Sequence, residues 1–423
     1  MGKTTQLSDG TTFKSIIGNF IDYLCNQYVS VQIMNDKLQE WYIKENTAYQ
    51  NYIDKHGLNI SKPDDSSASE AVSETESQMH LVPFEQIVEY DRHFNDVTSI
   101  FFIKEQFLQT QFVDMIAHYD IFLQGIIRKV YYLFPERLNN KKKEIFFEKI
   151  SSLNSIEEFK KSFIEDIIDT LFRGSHYSQL DFLKDELDCD VKSRNKDVYC
   201  GFIEITERRN ILTHSSGIIG DQYLNVCKER GAIPAGGKGQ KLSVDVDYFK
   251  KSCDVLLKLA IVIGYWFWIT RAKDERQQAD DYIINTVNRL IRDGRSDVAV
   301  CILEYVLSQD APKSKAIYIK RFHLYKLFAL KDLNRMEEFE KGISEDWTEV
   351  NNSIKLKLLV LKEKYDDAIA LFKKIKGNEE GVDKMIFSES VIYRDFIQKT
   401  EFRDAYQEIY GESFCFSRDS LYM

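Results

Sequence analysis

The stretch that decides the fold runs from Val198 to Gly217 and reads VYCGFIEITERRNILTHSSG. Val198, Phe202, Ile205 and Leu212 follow a four-three spacing, the mark of one buried helical stripe. The step between Ile205 and Leu212 falls on Arg209, so the pattern expects a buried guanidinium where a hydrophobe would otherwise sit. Burying an arginine is costly unless acceptors or an anion meet it. His214 follows five residues on, near the helix end expected at Ser215, Ser216 and Gly217. Asn210 lies four residues before His214 and shares its face. The spacing therefore predicts an arginine, an amide and an imidazole converging on one helix terminus.

Upstream, Phe112, Ile116, Tyr119, Leu123, Ile126, Val130 and Leu133 keep the same rhythm for three heptads until Phe134-Pro135 ends it. A stripe of that length requires a helical partner. Phe84 to Phe101 pattern another helix. Phe13, Ile17, Phe20, Leu24, Val31, Met34, Leu38 and Trp41 predict one long amphipathic helix or a helix pair, with β-branched YVSVQIM as the place for a break or bend. His118 and Asp120 read as a solvated flank of the second stripe. The chain has only five prolines, where average usage of about 5% would give roughly twenty. That depletion fits a nearly all-helical chain, because proline removes a donor and clashes inside helices. The expected fold class is all-α.

The chain divides by composition into an N-terminal helical segment (1–57), a Ser-rich acidic linker (58–80), a helical bundle (81–272) and a C-terminal region of short helical pairs (273–423). The linker, SKPDDSSASEAVSETESQ, carries too few large apolar groups to order itself and is expected to be flexible. In the last region Phe328-Ala-Leu-Lys-Asp and Leu359-Val-Leu-Lys-Glu match at an offset of about 31 residues, and Asp297 and Asp367 head similar segments about 70 apart. Lys364 to Lys374 resembles the second helix of a tetratricopeptide repeat. Such pairs bury a face by stacking and commonly offer a groove to a partner or sensor.

A net charge of −10 argues against a global electrostatic grip on nucleic acid, so any RNA contact must be local. Lys141, Lys142 and Lys143 form one basic cluster; Lys228, Arg230, Lys238 and Lys241 form another in the glycine-rich loop at 228–241. The loop lacks the glycine and Ser/Thr spacing of a phosphate loop, and Lys3-Thr4-Thr5 lacks its upstream glycine. Seven scattered cysteines form neither a zinc spacing nor a disulfide framework. With no signal peptide pattern, they point to a reduced, cytoplasmic protein. The most apolar run, Leu259 to Ile269, reads as a core helix rather than a membrane span.

Arg209-Asn210-Ile211-Leu212-Thr213-His214 reads Arg-Asn-x-x-x-His, and this resembles the signature of HEPN domains, helical bundles found in many prokaryotic RNA-cutting toxins and antiviral proteins. The resemblance covers about residues 85–272. It implies an HEPN-like bundle with Arg209, Asn210 and His214 as catalytic residues, RNA as substrate, no cofactor and no metal. It also implies a homodimer with a composite site, and a role as toxin or abortive-infection effector.

The chemistry suits those residue types. RNA carries its own nucleophile, the 2′-OH. An imidazole can move a proton near neutral pH, and a guanidinium can clamp phosphate oxygens through paired donors. One copy holds one imidazole, whereas two copies supply one for each proton transfer. Beside this stand blander readings. His214 can be a helix cap favoured by the dipole, and Arg209 can pair with Glu204 or Glu207. The whole chain can then be a non-catalytic helical scaffold, or a HEPN toxin held by a nucleotidyltransferase antitoxin.

Overall fold

The long stripe of the second helix is buried along its length: Phe112, Ile116, Tyr119, Leu123, Ile126 and Val130 are all shielded from solvent. The computed structural model describes residues 10–56, 58, 82–140, 155–308, 314–348, 350–375, 382 and 384–415. The expected linker, apart from Leu58, and the Lys141–Lys143 cluster lie outside the described residues. Among the described residues the chain is all-α, with no strand and a lone antiparallel bridge between Ile218 and Lys241.

The helices of eight residues or more are α1 (Phe13–His56), α2 (Ile87–Leu133), α3 (Ile156–Phe172), α4 (His176–Leu187), α5 (Lys196–His214), α6 (Asp221–Arg230) and α7 (Val246–Arg271). After them come α8 (Arg276–Arg292), α9 (Ser296–Leu307), α10 (Ala316–Asp332), α11 (Met336–Ile343), α12 (Asn352–Leu361), α13 (Tyr365–Ile375) and α14 (Thr400–Tyr410). The β-branched centre of α1 neither breaks nor ends it. Val31 there is fully buried, and burial outweighs the small propensity cost of branched side chains. The patterns before and after Phe107 likewise belong to the single helix α2.

By packing, the chain forms two compact units, each discontinuous in sequence: Ile21–Asp120 with Gly201–Cys253, and Met1–Phe20 with Ile121–Cys200 and Asp254–Met423. In the first, the Tyr23 hydroxyl donates to Asp114 at 2.6 Å and its ring stacks on His118 at 3.7 Å. His118 is therefore held against α1 rather than freely solvated. Tyr49, Tyr52, Ile53 and Leu58 form a small core with Val82, Tyr90 and Val97. Tyr119 packs on Phe202 and Phe112 on Tyr248, with ring centroids 4.6 and 5.6 Å apart.

In the second unit, the apolar run Leu259–Ile269 is the distal half of α7. By length and composition α7 is apolar enough to cross a membrane, yet 72% of its most apolar window is buried. A π-turn at Ile261–Tyr265 interrupts it, and the Val262 carbonyl there accepts from the Tyr305 hydroxyl at 3.0 Å. Gly264 in that turn has no room for a side chain, since a Cβ would come within 2.6 Å of Ile17.

Three helical hairpins, α8–α9, α10–α11 and α12–α13, share one turn. Gly294, Asn334 and Glu363 each adopt the left-handed conformation. The next residue, Arg295, Arg335 or Lys364, then donates its amide to the carbonyl of Leu290, Leu330 or Leu359 at 2.8 to 2.9 Å. These closures satisfy the orphan carbonyls at each helix end. The turns are spaced by roughly 40 and 29 residues, so the structural register differs from the sequence offset of about 31. The helices between successive turns differ in length, 12 and 17 residues for α9 and α10 against 8 and 10 for α11 and α12, and that difference sets the unequal spacing.

Candidate active site at a helix terminus

Helix α5 buries Val198, Phe202, Ile205 and Leu212, the stripe expected from spacing. At the next position the expectation needs correction. The buried arginine is Arg208, 7% exposed, whereas Arg209 is half-buried. Arg208 stands four residues after Glu204, and both its Nε and Nη2 lie 2.9 Å from Glu204 Oε1. Its Nη1 donates to the Ser243 carbonyl at 3.0 Å, and its guanidinium lies 3.7 Å from the centroid of the Tyr248 ring. Glu204 also accepts the hydroxyls of Tyr223 at 2.9 Å and Tyr248 at 2.5 Å. Burial, with the Glu204 charge adding to it, pushes both phenols well above the usual tyrosine range. The same two causes push the Cys227 thiol up to about 12. This network is structural, since it ties the motif helix to the 231–245 loop through Ser243 and through Ala235, whose amide donates to the Tyr223 hydroxyl.

Arg209 belongs to a different set. Its Nη1 donates to Asn210 Oδ1 at 3.3 Å, and Asn210 Nδ2 donates to Glu207 Oε1 at 3.3 Å. Glu207 is itself buried, 4% exposed. Arg209 pairs with neither Glu204 nor Glu207; the first carboxylate is occupied by Arg208 and the second holds Asn210. Arg209 Nε is buried with no hydrogen-bond partner among the described residues. A guanidinium in that state has spare donor capacity in a desolvated place.

His214 is the last residue of α5 and is exposed. Its imidazole makes no hydrogen bond among the described residues. The helix-end carbonyls are met instead by the amides of Ser215 and Gly217 on Ile211, and by Gln109 Nε2 on Leu212 at 3.3 Å. The imidazole is thus not serving as the cap. Between the two motif ends, Thr213 Oγ1 donates to the Arg209 carbonyl at 2.9 Å, a back-bond that loosens helices locally. Arg209 and Asn210 are brought together; His214, about 140° around a regular helix from Arg209, is bonded to neither.

The turn that follows is fixed by Ser216 and Gly217, with φ of 50° and 82°. A Cβ on Gly217 would come within 2.5 Å of the Leu242 carbonyl. The close approach lets Leu242 donate to Gly217 and Ile219 donate to Gln240, each at 2.9 Å. The basic loop is therefore fastened to the motif end. Within it Lys238 is spent on Asp221 at 2.6 Å, while Lys241 is exposed.

Beside this terminus runs a groove of about 760 Å³, lined by Leu212, Ser216, Lys241 and Gln109 together with Gln32, Asn35 and Gln39 of α1 and Phe101 and Lys104 of α2. Sequence reasoning did not single it out. The signal was there in part, since Gln32, Asn35 and Gln39 repeat at three and four residues and so share a helix face. Among the described residues no cluster of three or more His, Cys, Asp and Glu side chains is placed to hold a metal ion. Compared with known proteins, the chain matches no family model, no curated protein and no solved structure.

Proposed function

We propose that the chain is an endoribonuclease of the HEPN type, cutting RNA by attack of the 2′-OH and using Arg209, Asn210 and His214. The observation that carries this reading is the state of Arg209. It is half-buried and, among the described residues, pairs with no carboxylate and keeps a buried Nε without a partner. Asn210, itself held by Glu207, steers it. A guanidinium so held is set to grip a phosphate from outside the chain rather than to stabilise the helix that carries it.

In the proposed reaction a base removes the 2′-OH proton and the oxygen attacks the adjacent phosphorus. Arg209 neutralises the added charge on the phosphorane. The P–O5′ bond breaks as an acid protonates the leaving oxygen, giving a 2′,3′-cyclic phosphate and a 5′-OH. His214 performs one of the two proton transfers. A second copy of the chain supplies the other imidazole, so the working form is a homodimer with a composite site. Arg209 provides charge stabilisation of the kind a metal ion provides elsewhere, so the reaction is proposed to be metal-independent. A cytoplasmic toxin or antiviral effector, with its C-terminal hairpins facing a sensor or partner, is the biological role this chemistry suits.

The test is incubation of purified protein with total RNA in EDTA. Cleavage to cyclic-phosphate ends, abolished by His214→Ala at unchanged thermal stability, is expected. Activity that disappears on chelation and returns with Mg²⁺ refutes the metal-independent mechanism. Full activity of His214→Ala refutes the site and leaves a helical scaffold. A mixed dimer of wild-type and Arg209→Ala, His214→Ala chains is expected to lose most activity rather than half.

A further inference from the structure

Near the end of the chain, Arg292, Arg394 and Arg403 line one cavity of about 410 Å³. No carboxylate is among the described residues lining it, in a protein whose net charge is −10. The three guanidiniums are engaged unequally. Arg394 is paired with Asp332 at 2.9 Å and with Asp395 at 3.6 Å. Arg292 donates to the backbone carbonyl of Glu389 at 2.5 Å. Arg403 makes two long bonds of 3.4 Å, to the Ile397 carbonyl and to Gln398 Oε1. Among the described residues neither Arg292 nor Arg403 has an ion-pair partner. The remaining wall carries the apolar and aromatic side chains of Phe387, Val391, Ile397 and Phe414, with Ser388, Ser390 and Gln398 among them.

Two chemistries therefore meet in one cavity, concentrated positive charge and an apolar, aromatic wall. A lone carboxylate would satisfy one of the two guanidiniums without an ion pair, Arg292 or Arg403, and leave the other unmatched, whereas a polyphosphate carries enough charge and oxygen acceptors for both and for a further contact to Arg394. A bare polyphosphate would leave the aromatic wall unused. The volume lies within the range of about 300–1,000 Å³ typical of small-molecule sites. We propose that this cavity binds a nucleoside polyphosphate, its phosphates held by Arg292, Arg394 and Arg403 and its base set against the partly exposed Phe414. The site stands on its own residues and does not depend on the ribonuclease reading.

Isothermal titration of the full chain with ATP, sodium tripolyphosphate and adenosine tests it. ATP is expected to bind saturably, with tripolyphosphate and adenosine each at least about tenfold weaker, because each lacks one half of the recognition. Arg403→Gln gives up only two long bonds of its own, so the fold should survive, which melting and circular dichroism verify. That variant and Arg292→Gln should each weaken ATP about tenfold or more, the scale of one lost charge-assisted contact. Absence of saturable ATP binding, or ATP affinity unchanged in either folded variant, overturns the proposal. Tripolyphosphate or adenosine binding as tightly as ATP overturns the assignment to a nucleoside polyphosphate.

Discussion

Replacing Arg208 with alanine removes three interactions at once: the paired contacts with Glu204, the donor to the Ser243 carbonyl and the stacking on Tyr248. Breaking a buried ion pair by deleting one partner typically costs about 3–5 kcal/mol, and a desolvated cation–π contact adds on the order of 1 kcal/mol. Glu204 keeps its two tyrosine hydroxyls, which limits the damage, so Arg208→Ala is expected to lose about 3–5 kcal/mol. Arg209→Ala removes one 3.3 Å hydrogen bond, roughly 0.5–1.5 kcal/mol, and also removes a buried unsatisfied donor, a gain of similar size. Its net effect on stability should fall within about 1 kcal/mol. Urea unfolding followed by circular dichroism, paired with an RNA-cleavage assay, separates the two. Arg208→Ala should melt early, while Arg209→Ala should stay folded and lose cleavage. A loss of about 3 kcal/mol or more in Arg209→Ala would show that Arg209, not Arg208, is the structural arginine and would refute the division of roles.

Two further outcomes follow from buried and strained positions. Burial, with the Arg321 charge adding to it, presses the Lys357 ammonium down to about 8, below the unfolded value of about 10.4. The folded chain therefore binds fewer protons than the unfolded chain between those values. The penalty is complete below about pH 8 and is relieved as pH rises towards 10. Lys357→Met should exceed the wild type by roughly 3 kcal/mol at pH 7, with the gap narrowing by pH 10; a pH-independent gap would contradict the burial argument. Gly217→Ala should cost about 2 kcal/mol or more, because φ is 82° and the new methyl meets the Leu242 carbonyl. Limited proteolysis should then cut faster between Gly236 and Leu242 than in the wild type, and unchanged protection there would argue against the pinned loop.

The helical class and the buried stripes of α2 and α5 were legible because both are local periodicities. What periodicity misplaced was the buried arginine. Arg208 and Arg209 sit at the edge of the same stripe, and the choice between them was made by Tyr248 and Ser243, some 40 residues away, which close over Arg208 alone. Glu204 four residues earlier was a readable hint, since that spacing favours an ion pair with Arg208. The choice between one helix and a helix pair for α1 stayed open for a related reason: the branched residues that suggested a break are held by tertiary burial of Val31. In the hairpins, Gly294 and Asn334 announce a left-handed turn and Glu363 does not, so the matched pentapeptides at 328–332 and 359–363 misjudged the register by two residues. The Arg209–Asn210–His214 motif could be read from order alone. The groove beside it could not, because Gln32, Gln109 and Lys241 come from three separated segments.

The discontinuity of the two units bears on how the chain is made. The unit holding the motif needs residues from Ile21 through Cys253, so on a ribosome it stays incomplete until Cys253 has emerged. Its contacts span long loops, which slows closure. The hairpins α8 to α13 each close over a few tens of residues and can form almost as soon as they are extruded. For a proposed RNA-cutting enzyme synthesised beside rRNA and mRNA, the order has a direct effect: Arg209 and His214 reach their fold only after α1 and α2 have waited for them. A synthesis arrested between residues 214 and 253 would release a fragment with the whole motif and its unit incomplete.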